Sequence, residues 1–267
     1  MFEMMVGADY SGKVVFVAGG TSGINLGIAE AYASAGAKLA VLSRSPERVS
    51  EAVTRLSNDA ETCIGFAADV RDRPAVDKAF ADAAEALGPI DIVVSGAAGN
   101  FIVEAADISA NGFKTVVDID LVGTFNVFHA SLPHLRKPGA SLIAISAPQG
   151  ARPQFGQVHV CAAKAGVNMV VRCLALEWGP LGIRVNGISP GLVGGTEGQK
   201  RLFTSEEQEA RFIRDLPLGR LGKNDDIAAA AIYLSSDSAN FVNGVILDCD
   251  GGLSLAEGGY SFRSALS

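Results

Sequence analysis

Residues 13–25 read Lys-Val-Val-Phe-Val-Ala-Gly-Gly-Thr-Ser-Gly-Ile-Asn. Positions 13–18 form a continuous, β-branched apolar run, the pattern of a strand buried on both faces. Gly19, Gly20 and Gly23 then mark a tight turn, and from 24 to 36 Ile28, Tyr32 and Ala35 share one face at helical spacing. Strand, glycine turn and helix in that order aim backbone N–H groups and a positive helix end at one point, which suits a pyrophosphate. The Gly19-x-x-x-Gly23 spacing is looser than G-x-G-x-x-G and is weak evidence alone. Position 25, where another glycine would be usual, holds Asn. Asn tolerates left-handed backbone better than most residues, so the turn is expected to survive.

The alternation continues outward. Segments 38–42, 62–67, 90–94, 140–145, 183–188 and 244–247 read as strands. Segments 46–57, 74–87 and 225–235 read as helices, with longer ones near 111–136 and 157–178. This order predicts the α/β class: a single doubly wound (Rossmann) domain over 1–267, with a parallel seven-stranded sheet and helices on both faces. The Gly-rich stretch 191–200 reads as the start of a mobile substrate loop near 191–215. A C-terminal tail, 253–267, is expected to be partly ordered by packing on a neighbour.

Composition sets bounds on partners. The 267 residues carry a formal charge of −7 and no Lys/Arg cluster, which argues against nucleic acid. No apolar run reaches about 18 residues, and no membrane association is expected. Cys63, Cys161, Cys173 and Cys249 lie far apart, and His129, His134 and His159 show no metal-ligand spacing, so metal chemistry is set aside and a reducing, cytoplasmic setting is expected. The second strand ends in Ser43-Arg44, with Arg48 one turn further. A carboxylate there would hold the ribose diol of NAD. A hydroxyl and two guanidinium groups suit the 2′-phosphate of NADPH instead.

Gly19-x-x-x-Gly23, Ala97-Ala98-Gly99, Lys164 and Pro190-Gly191 stand in the order and spacing of the short-chain dehydrogenase/reductase family, which the chain resembles from about Gly12 to Gly252. The resemblance implies cofactor contacts from Gly19, Thr21, Ser22, Gly23 and Ile24 in the first turn and from Ala98 and Gly99 after strand four. It also implies Asp69 at the adenine, Lys164 on the nicotinamide ribose, and Pro190, Gly191 and Thr196 beside the nicotinamide. The departures are equally informative. The family's usual Tyr and Ser positions hold Val160 and Ala147, and its usual Asn is Asp120. Ser146 is one residue off and is expected to face away. His159 adjoins the vacated position, about 100° round the helix, and reads as a packing or loop-contact residue.

A ketone reductase needs an acid to neutralise the alkoxide that hydride creates. A conjugated thioester takes hydride at a carbon remote from its carbonyl, delocalises the charge, and is finally protonated on carbon, so loss of the hydroxyl pair is compatible with it. Segments 97–101, 113–120, 123–127, 157–159, 177–180 and 195–198 resemble the peroxisomal-type 2,4-dienoyl-CoA reductases. That resemblance implies NADPH-dependent reduction of 2,4-dienoyl-CoA to 3-enoyl-CoA in unsaturated fatty-acid β-oxidation. Lys164 and Asp120 would be catalytic, Asp120 ordering water beside Lys164. Arg71, Phe101, Ser109, Asn111 and Arg201 would contact the acyl-CoA. A trans-2-enoyl-CoA reductase and a non-catalytic NADPH-binding protein are the competing readings. Asp250, in Asp-Gly-Gly, reads as a turn residue. The family usually forms homotetramers through its two longest helices, which the apolar faces of 111–136 and 157–178 permit. The ending Ser264-Ala265-Leu266-Ser267 is not a Ser-Lys-Leu address, which supports the cytoplasmic expectation.

Overall fold

The computed structural model describes residues 9–196, 199 and 205–259, and in it the opening apolar run becomes β1 (Val14–Ala18), every residue of which is buried. Its strands β1, β2 (Lys38–Ser43), β3 (Thr62–Ala67), β4 (Ile92–Ser95), β5 (Ser141–Ile145), β6 (Arg184–Pro190) and β7 (Ile246–Cys249) form one sheet. The order is β3-β2-β1-β4-β5-β6-β7 and every pairing is parallel. The chain reverses its direction of travel across the sheet between β1 and β4. A crevice therefore opens at their carboxyl ends, where α/β sheets bind ligands.

The helices are α1 (Gly23–Ser34), α2 (Pro46–Leu56), α3 (Arg73–Leu87), α4 (Ala110–Val117), α5 (Gly123–Ser131), α6 (Val158–Trp178), α7 (Glu206–Asp215), α8 (Asn224–Ser235) and α9 (Leu253–Gly259). Side chains alternate across a strand, so each central strand feeds two cores. Val14, Phe16 and Ala18 join Val93 and Leu142 under α3, α5 and α6. Val15 and Val17 join Val94 and Ile143 under α1, α2 and α8. Local chemistry fixes the helix starts. Ser45 and Asp72 accept the N–H groups of Arg48 and Ala75, and a proline follows within two residues of each cap.

Two expectations change. The stretch 111–136 is not one helix: α4 passes into a π-helical turn, Asp118–Val122, before α5, and α5 gives way to a short 3-10 turn at Leu132–His134. Pro133, which has no N–H to continue the ladder, accounts for that end. The last strand lies two residues later than 244–247, because Gly244 adopts φ +80° and belongs to the preceding turn. Residues 253–259, at the start of the expected tail, form α9. One helix, Val158–Leu181, is long and apolar enough to match a membrane span, but half of it is buried, and Val167, Val171 and Leu174 pack into the core beneath the sheet.

Phe80 is fully buried and stacks on Phe16 with ring centroids 4.0 Å apart. Phe80→Ala is expected to cost about 3–5 kcal/mol of unfolding free energy, read from the shift of the urea midpoint at constant m-value.

Candidate functional site

The glycine turn after β1 is built by close approach. Gly19 adopts φ +82°, and a Cβ there would lie 2.9 Å from the Ala97 backbone nitrogen. Asn25 does not use the left-handed conformation expected for it: it sits inside α1, and among the described residues only glycines have positive φ. Its buried side chain instead crosses to the residue just after β4, where Nδ2 donates to the Gly96 carbonyl at 2.8 Å. A Cβ on Gly96 would lie 2.1 Å from Asn25 Oδ1. The space normally left by a glycine on the helix is thus left by a glycine just after β4.

A cavity of about 250 Å³ runs along this turn, lined by Gly19, Thr21, Ser22, Arg44, Arg48 and Asp69, with Ala97 and Ala98 on its β4 side. Arg44 and Arg48 stand where the end of β2 and the start of α2 meet, so the cavity is cationic at that edge. The Asp69 carboxylate is gripped by Arg71, with Nε–Oδ1 3.0 Å and Nη2–Oδ2 2.7 Å. That grip holds the Asp69 carboxyl below the usual carboxylate range. Arg71 is therefore committed to Asp69 and lines neither this cavity nor the next.

A second cavity of about 670 Å³ continues from the first, and Ser22, Asn25, Gly96 and Ala98 border both. Asp120 and Lys164 form its floor. The π-helical turn carries Asp120, and α6 carries Lys164. Asp120 is 1% exposed and Lys164 6%, with Lys164 Nζ 3.2 Å from Asp120 Oδ2. The ammonium also donates to the Ile145 carbonyl at 3.0 Å, and Asp120 Oδ1 accepts the Gly99 N–H at 2.7 Å. Asp120 thus fixes both a buried cation and the backbone after β4. Ala147 and Val160 line the same cavity, and Val160 packs with Val116 and Ala163. Ser146 was expected to face away; it follows the end of β5 and does reach the wall, but its hydroxyl is donated to Asn168 Oδ1 at 2.5 Å. Tyr10 and Tyr32 lie elsewhere, with their hydroxyls on Ser235.

Pro190, Gly191 and Thr196 also line this cavity. A Cβ on Gly191 would come within 2.7 Å of Asp250 Cα. Asp250 is the turn residue its sequence suggests, accepting the N–H groups of Gly252 and Ser254 at 2.9 and 2.7 Å. Burial pushes its carboxyl up, but these hydrogen bonds outweigh that and leave it below its ordinary range. Ile24, Gly23 and Gly99 also face this cavity, which places the glycine turn, Ala98, Gly99 and the Pro190 segment around one continuous groove. Closely approached glycines, helix N–H groups and a cationic edge fit a phosphorylated dinucleotide laid across the switch point.

The loop after β4 is pinned to the start of α6. Val103 N–H donates to the Gly156 carbonyl at 3.0 Å, and Gln157 Nε2 donates to Asn100 Oδ1 at 3.1 Å. His159 donates through Nε2 to the Phe101 carbonyl at 3.1 Å and stacks on the Phe101 ring at 4.3 Å, the loop contact expected of it. Phe101, Ser109 and Asn111 are not among the residues that line the cavity. Ser109 caps α4 through the Gly112 N–H. Arg201 lies outside the described residues. The cavity wall includes residues the sequence reading did not single out, among them Asn100, Ile102, Gln149, Arg152, Phe155 and Phe212. For Gln149, Arg152 and Phe155 the signal was the irregular, Gln- and Gly-rich stretch 148–157 between a strand and a long helix.

The profile of the family described as "Enoyl-(Acyl carrier protein) reductase" matches residues 18–254. A peroxisomal 2,4-dienoyl-CoA reductase [(3E)-enoyl-CoA-producing] of Arabidopsis thaliana is 42% identical over 256 residues, covering 92% of this chain and 86% of that protein. The Rattus norvegicus protein of the same description is 43% identical over 242 residues, covering 90% and 83%. A crystal structure of a short chain dehydrogenase from Bacillus anthracis superposes with a TM-score of 0.83 at 36% identity, covering 91% of this chain and 97% of that one.

The Asn25–Gly96 exchange has a testable consequence. Gly96→Ala is expected to cost about 1–3 kcal/mol in a denaturant melt through overpacking, and Asn25→Gly in the same chain is expected to recover most of that loss.

Proposed function

Since this chain belongs to the short-chain dehydrogenase/reductase family, we propose that it reduces 2,4-dienoyl-CoA to 3-enoyl-CoA with NADPH, without the hydroxyl pair usual in that family. The observation that carries the reading is the floor of the larger cavity: a buried Lys164–Asp120 pair faces hydrocarbon at Ala147 and Val160. Relatives described as 2,4-dienoyl-CoA reductases, at 42% and 43% identity, support the same choice of substrate.

Gly19, Thr21, Ser22, Gly23 and Ile24 would hold the pyrophosphate. Arg44 and Arg48 would take the 2′-phosphate, and Asp69 the adenine edge. Pro190, Gly191 and Thr196 would flank the nicotinamide, with Ala98 and Gly99 opposite and Lys164 on its ribose. When bound, the reduced nicotinamide supplies a hydride. In the dienoyl thioester the carbon furthest along the conjugated system, C5, accepts it. The C4–C5 and C2–C3 electron pairs shift, charge reaches the thioester oxygen, and a proton from water completes the product at C2, leaving the C3–C4 double bond. No group need protonate oxygen. Lys164 brings positive charge to the floor, and Asp120 fixes that lysine and orders the water that delivers the proton.

The proposal includes a closed homotetramer, because Val122, Phe125, Met169 and Leu176 are exposed along α5, α6 and the turn before α5. It also includes a cytoplasmic setting, which the free cysteines suit.

NADPH oxidation followed by absorbance, with hexadienoyl-CoA, crotonyl-CoA and acetoacetyl-CoA, tests the reading. Hexadienoyl-CoA is expected to be turned over, with NADPH favoured over NADH by about 10- to 100-fold. Turnover of the ketone alone would overturn it, turnover of crotonyl-CoA alone would favour a 2-enoyl-CoA reductase, and none despite tight NADPH binding would favour a non-catalytic protein. Asp120→Asn is expected to lower kcat by about 100-fold or more. Its NADPH Kd, from fluorescence titration, should stay within about threefold, since an energy below 1 kcal/mol is at stake there.

A further inference from the structure

The larger cavity has a buried end and an open end. Asp120 and Lys164 close the first, while Phe155 is 81% exposed and Ile102 58% exposed at the second. Two cationic side chains are among its described lining residues, Lys164 and Arg152. Lys164 is committed to Asp120. Arg152 stands three residues from Phe155, half-buried, and enters no ion pair among the described residues. Its backbone carbonyl faces Cys161 Sγ at 3.8 Å, which ties this segment to the first turn of α6. Among the described residues, the other arginines near the crevice are occupied differently: Arg71 is held by Asp69, and Arg44 and Arg48 belong to the smaller cavity.

A half-buried guanidinium with no ion-pair partner among the described residues can take its counter-charge from an anionic ligand. A CoA thioester brings it in a fixed place. Its reacting carbons must reach the floor, and the pantetheine arm then carries its phosphates out toward the rim. On the reading of the site as an acyl-CoA reductase, we propose that Arg152 is the anion anchor of the cavity, pairing with the CoA phosphates and setting the preference for CoA over shorter thioesters. A guanidinium suits this role because its fork can bind a phosphate through two parallel hydrogen bonds. Arg152 is a specificity residue here and takes no part in hydride or proton transfer.

The test compares hexadienoyl-CoA with the hexadienoyl thioester of N-acetylcysteamine, which keeps the acyl group and sulfur but carries no phosphate. Arg152→Gln is expected to raise KM for the CoA ester about 10- to 100-fold, with kcat little changed. The KM for the phosphate-free ester and the Kd for NADPH should not move, and Arg152→Lys should recover part of the loss. An equal loss on both esters, a fall in kcat on both, or no loss on either would overturn the proposal. Calorimetric titration of CoA itself into the NADP⁺-loaded protein provides a readout independent of turnover. A weaker CoA Kd in Arg152→Gln supports the anchor even where hexadienoyl-CoA is not reduced, in which case the proposed activity alone fails. An unchanged CoA Kd in an otherwise active enzyme removes the anchor and leaves the activity standing.

Discussion

An ammonium and a carboxylate as deeply buried as those of Lys164 and Asp120 share the interior only as partners, since losing either leaves an uncompensated charge worth about 3–5 kcal/mol. Much of the site follows from satisfying that pair. The carboxylate's second oxygen takes the Gly99 N–H, which fixes the backbone after β4. The ammonium's remaining contact is the Ile145 carbonyl, at the end of β5. Four elements from different parts of the chain, the π-helical turn, α6, the segment after β4 and the end of β5, are thereby locked at the carboxyl edge of the sheet. Asp120 is presented by a π-helical turn between α4 and α5 rather than by either α-helix.

The architecture was legible because buried parallel strands write a strong pattern. Residues 13–18 are apolar without interruption since both faces of β1 are covered, and alternate residues do go to separate cores. Helix starts were readable at Pro46 and Pro74, where a capping side chain and a proline coincide. The π-turn was not readable. A hydrophobic period persists through 111–136, and nothing in it distinguishes an i→i+5 turn that adds one residue.

At the site, the residues that touch backbone or charge were foreseeable: Gly19 and Gly23 of the turn, Arg44, Arg48, Asp69, Lys164 and Asp120 all line the groove. Asn25 shows the limit. Its backbone tolerance was the natural argument, whereas its actual work depends on Gly96, 71 positions away. Only the pairing of β1 with β4 brings the two together. Ser109 and Arg71 also make contacts within the chain, a helix cap and an ion pair with Asp69, that residue type alone does not show.

The chemistry proposed for this groove depends on electrons travelling away from the point of hydride attack, so that a cavity with hydrocarbon at positions 147 and 160 suffices. Reduction of hexadienoyl-CoA with NADPH deuterated at the transferred position, followed by NMR of the product, examines that directly. The account predicts deuterium at C5, with hydrogen from solvent at C2 and the double bond between C3 and C4. Deuterium at C3 or at the carbonyl carbon would contradict it.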